Sequence, residues 1–484
     1  MVISRKNISR IGLIVGPILF FTMMFLSIEG LSFEAKVVVG LTFWMSSWWI
    51  TEAVPIYITA LLPLVIFPLL NIIPLDETSA LYADKIVFLF LGGFILAKAI
   101  EKSSLHKRFA LNILKVFGTN PKHIVGAFMV VTGFLSGWIS NTATTMLMVP
   151  IAAAVILQVR NNDDQRRFGV CLMLSVAYSA SIGGMATLIG TPPNAIFASL
   201  SQSMLGIDIS FGQWMLMAVP ISAITLVVAW LYMVNFGAKI SSSPIADERS
   251  IISKRLSELG RMSRDEKIVA VVFAATAIAW ITRGLIWKDI LPMVDDSTIA
   301  VVAAISLFIL PSLSSNSKKN DKDNDKRLLD WNTAVTIPWG VLLLIGGGLT
   351  LAHGFTTTGL DAYIADQLSF LKGMHYLIII LILLTVTVFA GEVISNTATA
   401  ALLLPISASL ATSLSINPIL LMAPIAVATS IGFTMPVATP PNAIVFSSGH
   451  VTAAKMARAG LPLDIIGIVI VTVLTTVLVP LVWK

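Results

Sequence analysis

Apolar runs long enough to cross a bilayer recur along the whole chain, separated by short polar breaks. Eleven of them read as crossing segments, at roughly 11–28, 37–51, 54–72, 86–100, 169–205, 213–237, 267–287, 297–312, 333–353, 418–449 and 461–483. Two further stretches, about 122–157 and 375–413, are too long for one helix and are interrupted midway by Ser-Asn-Thr. Each then returns to a polar loop, so each reads as a re-entrant hairpin that enters and leaves on one side. The pattern predicts an all-α polytopic membrane protein of about eleven transmembrane helices and two hairpins. It shows no series of alternating ten-residue segments of the kind that builds a barrel.

Charge tests this layout. With a cytoplasmic N-terminus, all of the 32 Lys and Arg except Lys36, Lys85, Arg283, Lys288, Lys372 and Lys484 fall on the inside. The positive-inside rule predicts that bias, and making either hairpin span would reverse every later loop and spoil it. The C-terminus is then extracellular. Residues 11–28 follow a basic start (Arg5, Lys6, Arg10) and lack a small-residue cleavage site, so they read as a retained helix. Residues 241–266 and 312–330 are mixed-charge polar stretches, expected as cytoplasmic loops, the first with room for a surface helix and resembling a linker between halves.

The halves repeat each other. Ser140-Asn141-Thr142-Ala143-Thr144 recurs as Ser395-Asn396-Thr397-Ala398-Thr399, and Thr191-Pro192-Pro193-Asn194 recurs as Thr439-Pro440-Pro441-Asn442. The offset of the first pair also aligns Gly92-Gly93 with Gly347-Gly348. An odd number of crossings separates the copies, so the repeat is expected to be inverted, with the first hairpin entering from the cytoplasm and the second from outside. Inverted repeats place a substrate site at the interface of the halves. The expected division is 1–85 scaffold, 86–212 first repeat core, 213–332 scaffold with loops, 333–460 second repeat core and 461–484 a final helix. Residues 101–117 and 355–371 are amphipathic and read as matching interfacial or surface helices.

Composition narrows the chemistry. The chain is 56% hydrophobic and 12% charged, with mean hydropathy +0.89. Its net charge of +6 is scattered through loops, which argues against nucleic acid. The lone Cys171 reads as a small core residue. No metal-ligand cluster, phosphate-cradling loop or nucleophile triad is visible, so the chain reads as a transporter and not an enzyme. Ser and Asn are good N-caps, and Pro after Thr191 and Thr439 suits the first turn of a new helix. Each half therefore offers two helix N-termini with Ser, Asn and Thr side chains, a setting for an anion such as a carboxylate. Carbonyls freed at the breaks could ligate a hard cation such as Na⁺. Capped breaks without a ligand are the plain alternative, but the duplication of both motifs weighs against it. Glu52 and Glu392 are intramembrane carboxylates and functional candidates by default. His353 reads as structural, Trp44, Trp48 and Trp49 as a belt or packing face, and the glycines at 92–93 and 346–348 as close-packing positions.

These duplicated motifs resemble the divalent-anion/sodium symporter family of INDY-type dicarboxylate transporters, over essentially the whole chain. The resemblance implies a plasma-membrane homodimer that carries C4 dicarboxylates (succinate, fumarate, malate), 2-oxoglutarate, citrate or sulfate by an elevator movement. It implies substrate contacts at Ser140, Asn141, Thr142, Ser395, Asn396 and Thr397, with Thr191, Pro192, Thr439 and Pro440 as a second set. It implies a first sodium site at Ser136, Ser140, Asn141 and Gly190 and a second at Gly391, Ser395, Asn396 and Ala438. Gly391 stands where the first half has Ser136, so a hydroxyl is missing beside Glu392. That departure leans the reading toward a sodium-independent dicarboxylate exchanger; the alternative is a sodium-coupled symporter. No other cofactor is implied.

Overall fold

The structure is a computed structural model. It describes residues 5–116, 120–159, 161–237, 240, 248–287, 290–312, 327–367, 369–371 and 373–483. The described residues form helices and connecting turns, with one isolated bridge between Pro311 and Arg327. The chain is an all-α polytopic membrane protein. By length and apolar composition, six described helices suffice to cross a bilayer unaided, and further apolar helices are 10–17 residues long.

Helices α1 (Arg5–Phe25) and α2 (Phe33–Thr51) pack side by side. Gly16 of α1 lies against Trp44 and Trp48, while buried Trp49 donates to the Ile56 carbonyl, so these tryptophans form a packing face. The expected single crossing at 54–72 is instead two short helices, α3 (Ile56–Thr59) and α4 (Leu62–Leu69), because Pro63 restarts the helix. After α5 (Leu75–Leu81) comes α6 (Lys85–Lys102), then the surface helix α7 (Leu105–Val116), which fills the expected amphipathic stretch. The first hairpin is α8 (Pro121–Ser136) and α9 (Asn141–Ile156). The long run that follows divides into α10 (Asn162–Gly184) and α11 (Pro192–Leu205). Next are α12 (Phe211–Tyr232), α13 (Glu248–Glu258), α14 (Arg264–Thr282) and α15 (Asp296–Ile309). The expected surface helix within 241–266 is α13; residues 241–247 and 313–326 lie outside the described residues.

The second half opens with one turn, α16 (Trp331–Ala334), and then α17 (Trp339–Thr357), which starts six residues later than the expected 333 because Pro338 resets the chain. The surface helix α18 (Leu360–Gln367) matches α7 in position along the repeat, although Leu368 lies outside the described residues. The second hairpin is α19 (Tyr376–Gly391) and α20 (Asn396–Ser413). A second divided crossing, α21 (Ile419–Ala428) and α22 (Pro440–Ser447), precedes the last helix, α23 (Ala453–Val482).

The core gathers around α10, whose apolar window is 94% buried and which touches both limbs of the first hairpin. Glycines at its crossings allow this: a Cβ on Gly183 would sit 2.0 Å from the Gly133 carbonyl oxygen of α8. Gly92 meets Ala300 of α15 and Gly347 meets Ala60 in the same way, which fits their expected packing role. Ion pairs fasten the ends of the helices. Arg108 of α7 grips Glu266 at 2.9 Å and the carbonyls of Leu259 and Gly260, so α7 braces α14. Lys102 reaches Asp330 at 2.6 Å and holds that carboxyl down to about 2. At the other ends, Lys85 (2.7 Å) and Arg283 (3.3 Å) both hold Asp208, outweighing the upward push of its partial burial.

Candidate functional site

Each hairpin turns at its Ser-Asn-Thr, and the serine caps the returning helix. Ser140 accepts from the Ala143 N–H at 3.3 Å, and Ser395 accepts from the Ala398 N–H at the same distance. Such a cap is worth roughly 1 kcal/mol and aims the remaining first-turn N–H groups out of the helix end. Ser140, Asn141, Thr142, Ser395, Asn396 and Thr397 are all half-buried, so both tips keep one side open.

Against each tip lies a break. Helix α10 stops at Gly184 and α11 restarts after Thr191; α21 stops at Ala428 and α22 restarts after Thr439. Two buried asparagines hold these unwound segments in the same way. Asn194 Nδ2 donates to the carbonyls of Thr187 (2.7 Å) and Gly184 (3.2 Å), respectively seven and ten residues earlier. Asn442 Nδ2 donates to the carbonyls of Met435 and Gly432, at the same separations and both at 2.9 Å. Both asparagines are 0% exposed, and the Oδ1 of each lacks a partner among the described residues. Asn194 and Asn442 belong to the Thr-Pro-Pro-Asn motifs but stand outside the expected contact set. They tie the segments that lead into Thr191-Pro192 and Thr439-Pro440, at the same sequence separations in both motifs.

The halves interlock crosswise: α9 touches α22 and α11 touches α20. Four helices that begin at a tip or a break are thereby brought together.

The first half gathers several oxygens at its expected sodium positions. Ser136 Oγ lies 2.6 Å from Asn141 Oδ1 and 2.7 Å from the Ala180 carbonyl oxygen, with one proton to serve both. Gly184 packs on the Asn141 carboxamide, and Gly190 packs on the Gly184 carbonyl so closely that a Cβ would lie 2.3 Å away. In the second half Gly391 leaves that place open. A Cβ there would have only Asn396 Oδ1 near it, at 3.7 Å, and this Oδ1 is buried without a partner. Ala438, the counterpart of Gly190, is buried in the second break. The two threonines also differ: Thr439 accepts a cap bond from the Asn442 N–H, whereas the Thr191 side chain makes none.

Glu392 is 4% exposed and accepts from the N–H groups of Thr434 and Met435, which places it on the second break. Asp464, the only acid of α23, is 0% exposed and reaches the same segment. Its sole sequence signal is that isolation in a 30-residue apolar helix. Glu52 is instead exposed at the C-terminal cap of α2. His353 pairs with Glu77 at 2.7 Å, away from the tips. Among the described residues no cluster of three His, Cys, Asp or Glu could hold a metal.

Comparisons with known proteins identify the family. Residues 6–483 match the family described as "Sodium:sulfate symporter transmembrane region". The sodium-dependent dicarboxylate transporter SdcS of Staphylococcus saprophyticus is 40% identical over 480 residues, covering 97% of this chain and 91% of the relative. SdcS of Staphylococcus aureus (strain bovine RF122 / ET3-1) is 39% identical over 482 residues, covering 98% and 91%. The fold is similar to the Alcanivorax borkumensis YdaH transporter, with TM-score 0.55 and 11% identity, over 84% of this chain and 87% of that one. The sodium-independent exchange that Gly391 favoured finds no support here, since these relatives are named as sodium-dependent. The missing hydroxyl leaves Asn396 Oδ1 without a partner among the described residues.

Proposed function

We propose that this chain, which belongs to the sodium:sulfate symporter transmembrane family, is a secondary transporter that couples dicarboxylate uptake to sodium. The observation that carries the reading is the doubled tip-against-break geometry in a chain 39–40% identical to sodium-dependent dicarboxylate transporters. The Ser140-Asn141-Thr142 and Ser395-Asn396-Thr397 tips supply hydroxyls, carboxamides and helix N-termini for the two carboxylates. Thr191-Pro192 and Thr439-Pro440 supply the second wall, with Thr191 Oγ1 uncommitted to a cap. Helix N-termini and neutral donors favour an anion without a fixed cationic partner.

Sodium fits both halves. Ser136, Asn141 and the freed carbonyls near Gly184 and Gly190 gather several oxygens around one proton, which a hard cation relieves. Ser395, Asn396 and Ala438 offer the same on the other side, with the unpaired Asn396 Oδ1 standing in for the absent hydroxyl. An inverted arrangement of the halves, with the N-terminus cytoplasmic and the C-terminus outside the plasma membrane, is supported by the one-sided distribution of Lys and Arg. An elevator movement of the tips and breaks against residues 1–85 and 213–332, in a homodimer, extends this reading.

The test is labelled succinate uptake into proteoliposomes, varying external sodium and internal dicarboxylate separately. Uptake into empty vesicles is expected to require an inward sodium gradient. Uptake that needs internal dicarboxylate and ignores sodium would overturn sodium coupling, and no uptake of any dicarboxylate would overturn the substrate class.

A further inference from the structure

Helix α7 joins α6 to the first hairpin, and helical spacing divides its surface three ways. Leu111 and Leu114 are buried against the protein. Phe109, Ile113 and Val116 share a second face, and Phe109 and Val116 are exposed on it. The Phe109 ring stacks on Phe134 at 4.8 Å, and Phe134 forms an exposed apolar stripe on α8 with Val130, one turn earlier. An apolar helix face that continues the outer stripe of a hairpin helix fits the edge of an acyl layer. Arg108 and Lys115, seven residues apart, share the third face.

That third face is fastened. Arg108 commits its guanidinium to Glu266 and to the carbonyls of Leu259 and Gly260, so segment 259–267 is held alongside α7. Helix α13, which leads into that segment, also packs on α7. Lys107 adjoins Arg108 in sequence, and Arg261, Arg264 and Lys267 adjoin the residues that Arg108 holds. These four and Lys115 are all exposed. None of the five forms an ion pair with another described residue. The nearby acids offset them little. Helix α7 has no acid, Glu266 is taken by Arg108, and Asp265 is half-buried and accepts from the Ser312 hydroxyl at 2.6 Å. Glu258 is the one exposed acid of 258–267.

The repeat supplies a comparison. Under the offset of 255, Leu105 and Phe109 fall on Leu360 and Ile364 of α18, so the apolar positions recur. The charge does not. Lys107 falls on Ala362 and Lys115 on Phe370, while α18 carries Asp361 and Asp366 and no cation. A surface helix at this place in the fold therefore needs no lysine. In the proposed layout α7 lies at the cytoplasmic surface and α18 at the outer one, and it is the cytoplasmic leaflet that attracts basic juxtamembrane segments.

We infer that α7 and the start of α14 form a docking surface for anionic lipid headgroups, and that this contact sets the position of the first hairpin. The apolar face of α7 enters the acyl boundary, and Lys107, Lys115 and the cations held beside Arg108 meet the lipid phosphates. The attraction acts within a Debye length, so it requires the cations to lie at the surface, where the apolar face brings them. Since α7 leads directly into α8 and its Phe109 stacks on Phe134, fixing α7 fixes the base of the hairpin that carries Ser140. The inference adds a lipid dependence to the transport reading, and its rate measurement rests on that reading.

The experiment compares sodium-driven succinate uptake in vesicles of phosphatidylcholine alone with uptake in vesicles containing about one-third phosphatidylglycerol. Wild type is expected to run at least about threefold faster with the anionic lipid. Lys107→Gln/Lys115→Gln/Arg261→Gln alters exposed residues away from the tips and breaks, and glutamine keeps helix propensity. This variant is expected to match wild type in phosphatidylcholine and to gain nothing from phosphatidylglycerol. Any effect of vesicle charge on local succinate or sodium is common to both proteins, so the difference between them reports the docking surface. Equal stimulation of both proteins, or no stimulation of wild type, overturns the proposal. A second arm needs no transport. Asn112 is exposed on α7 and the native Cys171 is buried, so Asn112→Cys takes a fluorophore selectively. Spin-labelled phosphatidylglycerol is expected to quench it at least about twofold more than spin-labelled phosphatidylcholine, with the excess lost at high salt and in the triple-glutamine background. Equal quenching by the two lipids refutes the docking surface. A chain that moves no succinate but shows selective quenching fails only the transport reading.

Discussion

Asn141 and Asn396 hold the same place in the two halves and keep different company. Asn141 Oδ1 has the Ser136 hydroxyl at 2.6 Å, whereas Asn396 Oδ1 has no partner among the described residues and lies near the open position of Gly391. A serine fits at 391, since its Cβ would meet nothing nearer than 3.7 Å. Gly391→Ser is therefore expected to add one oxygen ligand and tighten sodium dependence. At about 1 kcal/mol for one added polar contact, the sodium concentration for half-maximal uptake should fall about fivefold. Sodium titrations of initial rate check this, and an unchanged half-saturation would show that Gly391 lies outside the cation site. The tips and Gly391 were legible in the sequence because they recur at a fixed offset. Asp464 was not, because its partners Phe433 and Thr434 are distant in sequence and meet it only in space.

At the scale of elements, hydrophobic runs located the apolar helices, while prolines helped decide where some of them begin. Pro63 and Pro338 moved helix starts that hydropathy alone could not place. Both amphipathic stretches formed surface helices, α7 and α18, because their apolar residues recur at helical spacing. Glycine spacing was less legible, since which glycine faces a backbone depends on crossings that no local pattern records. Gly183 and Gly348 are both buried helix glycines, yet a Cβ would lie 2.0 Å from the Gly133 oxygen in one case and 3.5 Å from the Ala401 Cβ in the other. Gly183→Ala must push α8 from α10 and is expected to cost about 1–3 kcal/mol or more, whereas Gly348→Ala makes an ordinary contact. Thermal unfolding of detergent-solubilised protein, followed by size exclusion, should lower the midpoint for the first and leave the second near wild type. Equal midpoints would mean that the α8–α10 crossing is not the tight contact described.

At the scale of the molecule, the repeat and its handedness rest on different observations. The Asn194 and Asn442 bonds repeat at the same sequence separations in the two halves. Inversion rests on charge, because a hairpin that entered from the other side would carry its flanking basic residues outside. The bases of the two hairpins offer a direct discrimination. Asp163 follows the first hairpin and Met374 precedes the second, and both are exposed. The native Cys171 is 0% exposed, so it gives little background to a thiol reagent. Asp163→Cys and Met374→Cys are therefore expected to react with a membrane-impermeant maleimide from opposite sides, the first only in inside-out vesicles and the second only in right-side-out ones. Labelling of both from one side would leave a parallel repeat, in which the two tips could not approach the mid-plane from opposite surfaces, and the assembly of one site from two halves would lose its geometric basis.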